Sequence, residues 1–146
     1  MKTLRTILLA EDNPNDVELT VLALSKLNLV NGVTVVNDGV EVMDYLRYEG
    51  KYKLREKANP AVLLLDIKMP RMDGIDVLRE IRNDPALKSL PIVMLTSSRE
   101  EPDLKICYEL GVNAYVVKPV DFNEFMEVVK QLGIFWAVIN EISPDL

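Results

Sequence analysis

The sequence predicts an α/β protein: a five-stranded parallel sheet doubly wound by five helices. Three observations carry that prediction. Short apolar, β-branched runs alternate with longer amphipathic segments; the runs are continuously apolar, as strands covered on both faces must be; and the breaks between segments fall on turn and capping residues.

The strands are expected at 5–10 (RTILLA), 33–37 (VTVVN), 61–65 (AVLLL), 91–96 (PIVMLT) and 114–117 (AYVV). Helices are expected at about 14–28, where Val17, Val21 and Leu24 share a face, then at about 39–49, 74–83, 100–110 and 121–139. Asn13-Pro14 suits a helix start, and Asp38 with Glu41 and Asp121 with Glu124 have capping-box spacing. Gly111 suits a helix end. The charged stretch RYEGKYKLREKANP, 47–60, lacks core spacing and reads as an extended loop or a helix overrun, an insertion within one domain spanning 1–146.

Composition narrows the function. At 146 residues and 49% hydrophobic, the chain supports one well-buried core. A net charge of −6 with no basic run argues against a nucleic-acid surface, which needs clustered cations, and favours a protein partner. Cys107 is the only cysteine and histidine is absent, so neither a disulfide framework nor the commonest zinc ligand is at hand, and a reducing cytoplasm fits. The start MKTLRTILLAED is too short in its apolar part for a signal peptide, and GIFWAVI is too short to span a bilayer.

A doubly wound sheet places its functional crevice outside the carboxyl ends of its strands. Those ends carry Glu11 and Asp12 after the first strand, Asp38 after the second, Asp66 after the third, Thr96 after the fourth and Lys118 after the fifth. Each has an ordinary explanation: Asp66 as a turn or cap, Glu11 and Asp12 as partners of a helix dipole, Thr96 as a last strand residue, Lys118 as a solvated charge. Together they are improbable as coincidence. Glu11, Asp12 and Asp66 would repel one another unless a divalent cation sat among them, and oxygen ligands with room for water suit Mg²⁺. A carboxylate beside such a cation can act as a nucleophile on phosphorus, with Lys118 and Thr96 aimed at the phosphoryl oxygens.

On ILLAEDN, LLLDIKMPRMDG, PIVMLTS and GVNAYVVKPV, the chain resembles the receiver domain of two-component response regulators over about residues 4–132. The resemblance implies a flavodoxin-like sheet of order 2-1-3-4-5. It makes Asp66 the phosphoacceptor for a partner sensor histidine kinase, Asp12 a direct Mg²⁺ ligand, Glu11 a ligand through water and the Lys68 backbone carbonyl a third protein ligand. Thr96 would bind the phosphoryl group, Lys118 would pair with it, and Tyr115 would turn inward on activation; the Lys118-Pro119 bond is expected to be cis. Such a domain is not a turnover enzyme: it supports its own phosphorylation and a slow autodephosphorylation. Two departures bear on this: Glu11 stands where Asp is commoner, and Lys68 and Ser98 occupy positions that tune how water reaches the acyl phosphate.

Only about a dozen residues follow the stretch that carries the resemblance, so a stand-alone receiver is expected. The charged insertion and the aromatic extension, about 133–146, resemble the single-domain regulators paired with bacterial phytochrome histidine kinases. Phe135 and Trp136 read either as caps on the core or as part of a homodimer face at the fourth helix, fifth strand and fifth helix. The downstream protein is unspecified. Three other functions compete. An aspartate-nucleophile, Mg²⁺-dependent phosphohydrolase needs a second Asp two residues after the first, where this chain has Lys68. A flavin carrier needs a hydroxyl- or glycine-rich loop where this chain has EDNPND. A phosphorylation-independent binding domain leaves the acid set unexplained.

Overall fold

Continuous apolar runs can be buried on both faces only in a sheet sandwiched by helices, and the computed structural model, which describes residues 6–26 and 32–134, has that form. The elements run β1 (Ile7–Ala10), α1 (Pro14–Leu24), β2 (Val33–Val36), α2 (Gly39–Arg47), β3 (Val62–Asp66), α3 (Gly74–Arg82), β4 (Ile92–Thr96), α4 (Asp103–Glu109), β5 (Ala114–Val117) and α5 (Phe122–Gln131). The strands are parallel and ordered β2-β1-β3-β4-β5. The fold class and strand order expected from the sequence are therefore the ones observed.

Period-2 alternation divides the core between the two faces. Ile7, Leu9, Val62, Leu64, Val93, Leu95 and Val116 pack against Leu24 of α1 and Phe125, Val128 and Val129 of α5. Leu8, Ala10, Leu63, Leu65, Ile92 and Met94 pack on the other face, against Val42 and Leu46 of α2, Val77, Leu78 and Ile81 of α3, and Leu104 and Cys107 of α4.

Side chains fix the helix starts. Asn13 accepts from the amides of Asn15 and Asp16, Asp38 from Glu41, Asp73 from Asp76 and Asp121 from Glu124. In α2 the Glu41 carboxylate reaches back to the amide of Asn37, one residue before the cap.

Three helices differ from the sequence expectation. In α1 the buried residues are Thr20 and Leu24, whereas Val21 is exposed, so the inward stripe is Val17, Thr20 and Leu24. The helix ends at Leu24 with a turn at Ser25–Lys26; residues 27–31 lie outside the described part. Helix α4 begins at Asp103 rather than near 100, because a residue preceding proline is driven out of the helical region and Pro102 stands at the cap. Helix α5 stops at Gln131, followed by Gly133 at φ +70°. The expected continuation to 139, and Phe135 and Trp136 with it, lie outside the described residues.

The 47–60 stretch contains one 3-10 turn, Gly50–Tyr52, and is tied to α2. Tyr52 donates its hydroxyl to Glu41 at 2.6 Å. The Arg55 guanidinium lies 3.9 Å from the Tyr45 ring centroid and 4.1 Å from that of Tyr48, and its Nε donates to the Tyr45 carbonyl. Burial works against the Glu41 charge, but hydrogen bonds from Lys51, Tyr52 and the Asn37 amide hold its pKa below the usual value. No helix among the described residues is long and apolar enough to cross a membrane.

Candidate functional site

The alternation that builds the cores also assembles the site. Counting by twos along the strands, Glu11 follows Leu9, Asp66 follows Leu64 and Lys118 follows Val116, so all three belong to the face that packs on α1 and α5. Asp66 is the last residue of β3, paired with Leu95, rather than the first residue beyond it. Thr96 follows Met94, and Tyr115 pairs with Met94, so these two belong to the face that packs on α2, α3 and α4.

The carboxylates of Glu11, Asp12 and Asp66 each bring an oxygen within 4.8 Å of the others, with Glu11 and Asp66 buried and Asp12 exposed. They line an open cleft of about 270 Å³ that also includes Asp16, Lys68, Thr96, Ser97, Glu101 and Lys118. Lys118 Nζ donates to Glu11 at 3.1 Å, to Asp16 at 3.0 Å and to Asp66 at 3.3 Å. Its peptide bond to Pro119 is cis. The backbone extends this arrangement: the Lys118 amide donates to the Thr96 carbonyl at 2.7 Å.

Electrostatics follow from the crowding. Burial, reinforced by a hydrogen bond to Asp66 and by its charge, pushes the Glu11 carboxyl up to about 7, against the pull of Lys118 and the Asn13 amide. Burial works against the Lys118 charge, but hydrogen bonds to Asp16 and Glu11 and the charges of Asp66 and Glu11 outweigh it and raise its pKa. Five carboxylates and two ammonium groups line the cleft, an excess of negative charge that a divalent cation would offset. The donors are all oxygen, one acid is exposed to solvent, and the cleft is open, which fits a hard cation that keeps several waters.

The remaining expected residues have separate settings. Thr96 Oγ1 donates to the Ser98 carbonyl at 3.0 Å and accepts from the Ser98 amide at 3.3 Å. Tyr115 is half-buried against the α4 side of the core, its ring edge-on to Tyr108 at 6.3 Å. The Lys68 side chain is exposed. Sequence reasoning missed Asp16 and Glu101. Asp16, one helical turn beyond Asp12, has the first-turn position of an acid serving a helix dipole, and only the fold shows that this position faces the strand-five lysine.

Known proteins share this fold. The model of the response regulator receiver domain matches residues 7–130. The response regulator Rcp1 of Synechocystis sp. is 34% identical over 132 residues, covering 90% of this chain and 88% of its own. Rcp1 has also been solved in a Mn²⁺-bound form, which matches 95% of this chain and 97% of its own at 32% identity and TM-score 0.73. The bacteriophytochrome response regulator AtBRR is 54% identical with TM-score 0.87, covering 96% of this chain and all of its own. The phosphorylated cyanobacterial phytochrome response regulator RcpA is 39% identical with TM-score 0.74, covering 92% and 94%. A five-stranded sheet in this order, an acid cluster at the carboxyl ends of its strands and a family match across most of the chain have one common account: the chain belongs to the response regulator receiver domain family, and its function is two-component signalling.

Proposed function

We propose that Asp66 accepts a phosphoryl group from the phosphohistidine of a partner sensor kinase, with Mg²⁺ as the metal. The observation that carries this reading is the convergence of three acid side chains within 4.8 Å with Lys118 Nζ 3.3 Å from Asp66. The side chains of Glu11, Asp12 and Asp66 and the Lys68 carbonyl would hold the ion. Bound there, Mg²⁺ supplies positive charge that lowers the cost of bringing a phosphoryl group to an acidic rim.

The chain's own groups do the rest. A carboxylate oxygen of Asp66 forms the new bond to phosphorus while the nitrogen–phosphorus bond of the donor breaks, its electron pair returning to the imidazole. Lys118, already hydrogen-bonded to Asp66, moves one of its protons toward a phosphoryl oxygen. Thr96 gives up its bond to the Ser98 carbonyl and donates to another oxygen. Tyr115, on the same sheet face, turns toward the space Thr96 leaves and alters the surface of α4, β5 and α5, where a downstream protein or a second copy of the chain docks. Lys68 and Ser98 set the access of water, and hence a slow self-catalysed loss of the phosphoryl group. The likeness to phytochrome response regulators supports a phytochrome kinase as donor, and the lone free cysteine, Cys107, fits the reducing cytoplasm as the location. Lys68 is an exposed cation where a phosphohydrolase of this type needs an acid, which speaks against turnover of phosphate esters.

Incubation with Mg²⁺ and a small phosphodonor, followed by intact mass spectrometry, tests the acceptor. One added phosphoryl group is expected, absent in Asp66→Asn. Labelling that persists in that variant overturns the assignment.

A further inference from the structure

The loop from Ile67 to Asp73 carries the carbonyl of Lys68, and it is fastened in two places. At its root, the Gly74 amide donates to the Ile67 carbonyl at 2.8 Å, and Gly74 lies so near the Asp66 carbonyl that a Cβ there would collide with it. At its tip, the loop is held by another element. Arg71 Nε donates to Asp38 Oδ2 at 2.9 Å and Arg71 Nη2 to Asp38 Oδ1 at 3.1 Å, a two-pronged pair with the residue that caps α2. Beside it Gly39, the first residue of α2, lies against the Met72 carbonyl, where a Cβ would have no room. Arg71 holds this pose at φ +63°, a conformation that an L side chain adopts at a cost and keeps only when its surroundings demand it.

An ion pair with 59% of the arginine side chain exposed adds little to folding stability. Its geometric effect is larger, because Lys68 lies between the two fastenings. We propose that Asp38 and Arg71 are positioning residues for the metal: by locking the loop tip to the start of α2, they set where the Lys68 carbonyl stands relative to the carboxylates of Asp12 and Asp66. The inference rests on the reading of Lys68 as a carbonyl ligand. It gives Asp38 a role in the reaction that its capping position alone does not.

Through-space charge and positioning make opposite claims about Arg71. Removing a cation near a cation site should tighten Mg²⁺ binding by Coulomb's law, whereas loosening a ligand-bearing loop should weaken it. Calorimetric titration of the full chain with Mg²⁺ separates the two. Arg71→Asn removes the guanidinium yet tolerates the left-handed backbone, and Asp38→Ser keeps a capping oxygen while losing the two-pronged pair. Each is expected to raise the Kd about tenfold, the low end for residues that orient metal ligands. The double variant is expected to be no weaker than either single one, since both remove one unit. Melting temperatures measured in a chelator verify that each variant is folded. Arg71→Asn binding Mg²⁺ as tightly as the unsubstituted chain, or more tightly, overturns the positioning role while the metal site stands. An unsubstituted chain with no saturable Mg²⁺ binding dependent on Asp12 overturns the metal reading and this inference together.

Discussion

Glu11 and Lys118 show how one residue's protonation is set by its neighbours. Glu11 is fully buried beside Asp66 and bonded to Lys118, so its carboxyl gives up its proton only near pH 7. An acid whose folded value lies above its unfolded value holds its proton more firmly in the folded chain, so its contribution favours folding most below the unfolded value and is lost as pH rises toward 7. In the absence of divalent ions, urea stability is therefore expected to decline between about pH 5 and 7 more steeply in the natural sequence than in Glu11→Gln. Parallel pH profiles for the two proteins would refute the raised value. On the proposed reading Mg²⁺ competes with that proton, so its affinity is expected to rise over the same interval and level off above it.

At the scale of elements, α2 is braced at both ends by side chains from outside the helix. Its N-cap, Asp38, receives Arg71 and its first turn, at Glu41, receives Tyr52 and Lys51, while its C-terminal end carries the contacts of Arg55 with Tyr45 and Tyr48. Tyr48 takes the left-handed C-cap conformation at φ 58°, which puts its ring over the guanidinium. Arg55→Ala is expected to cost about 1–2 kcal/mol in denaturant unfolding, from two lost ring contacts and from the carbonyls of Tyr45, Glu56 and Ala58 that lose a donor. Arg55→Lys should recover little of it, because an ammonium cannot lie flat between two rings while reaching three carbonyls. None of this was legible in 47–60, where charge without periodicity reads only as surface. Strands and helix caps were legible, because apolar runs and Asp at cap positions act locally. The ends of α1, α4 and α5 depend on turns and, in α4, on Pro102, and apolar spacing alone overran them.

Across the whole molecule, the sheet brings together residues more than a hundred positions apart, and the sequence discloses this only once the strands are ordered. Glu11, Asp66 and Lys118 could be gathered in advance because each lies at or just past the end of a strand, whereas Asp16 enters from a helix, and its partner 102 residues away leaves no local trace. The acid rim so formed carries an excess of negative charge that the cation of the proposed reading would offset. Binding to the folded state alone adds about 2.7 kcal/mol at a hundredfold excess over Kd, which for a chain of this size raises the melting temperature by about 5–10 °C. Asp12→Asn should invert this behaviour. Without divalent ions it relieves repulsion among Glu11, Asp12 and Asp66, so the variant is expected to melt above the natural sequence; with saturating Mg²⁺ it loses a ligand and should melt below it. Thermal unfolding of both proteins in chelator and in Mg²⁺ therefore yields curves whose order reverses. An Asp12→Asn chain that gains as much from Mg²⁺ as the natural one would show that the ion's stabilising site lies elsewhere.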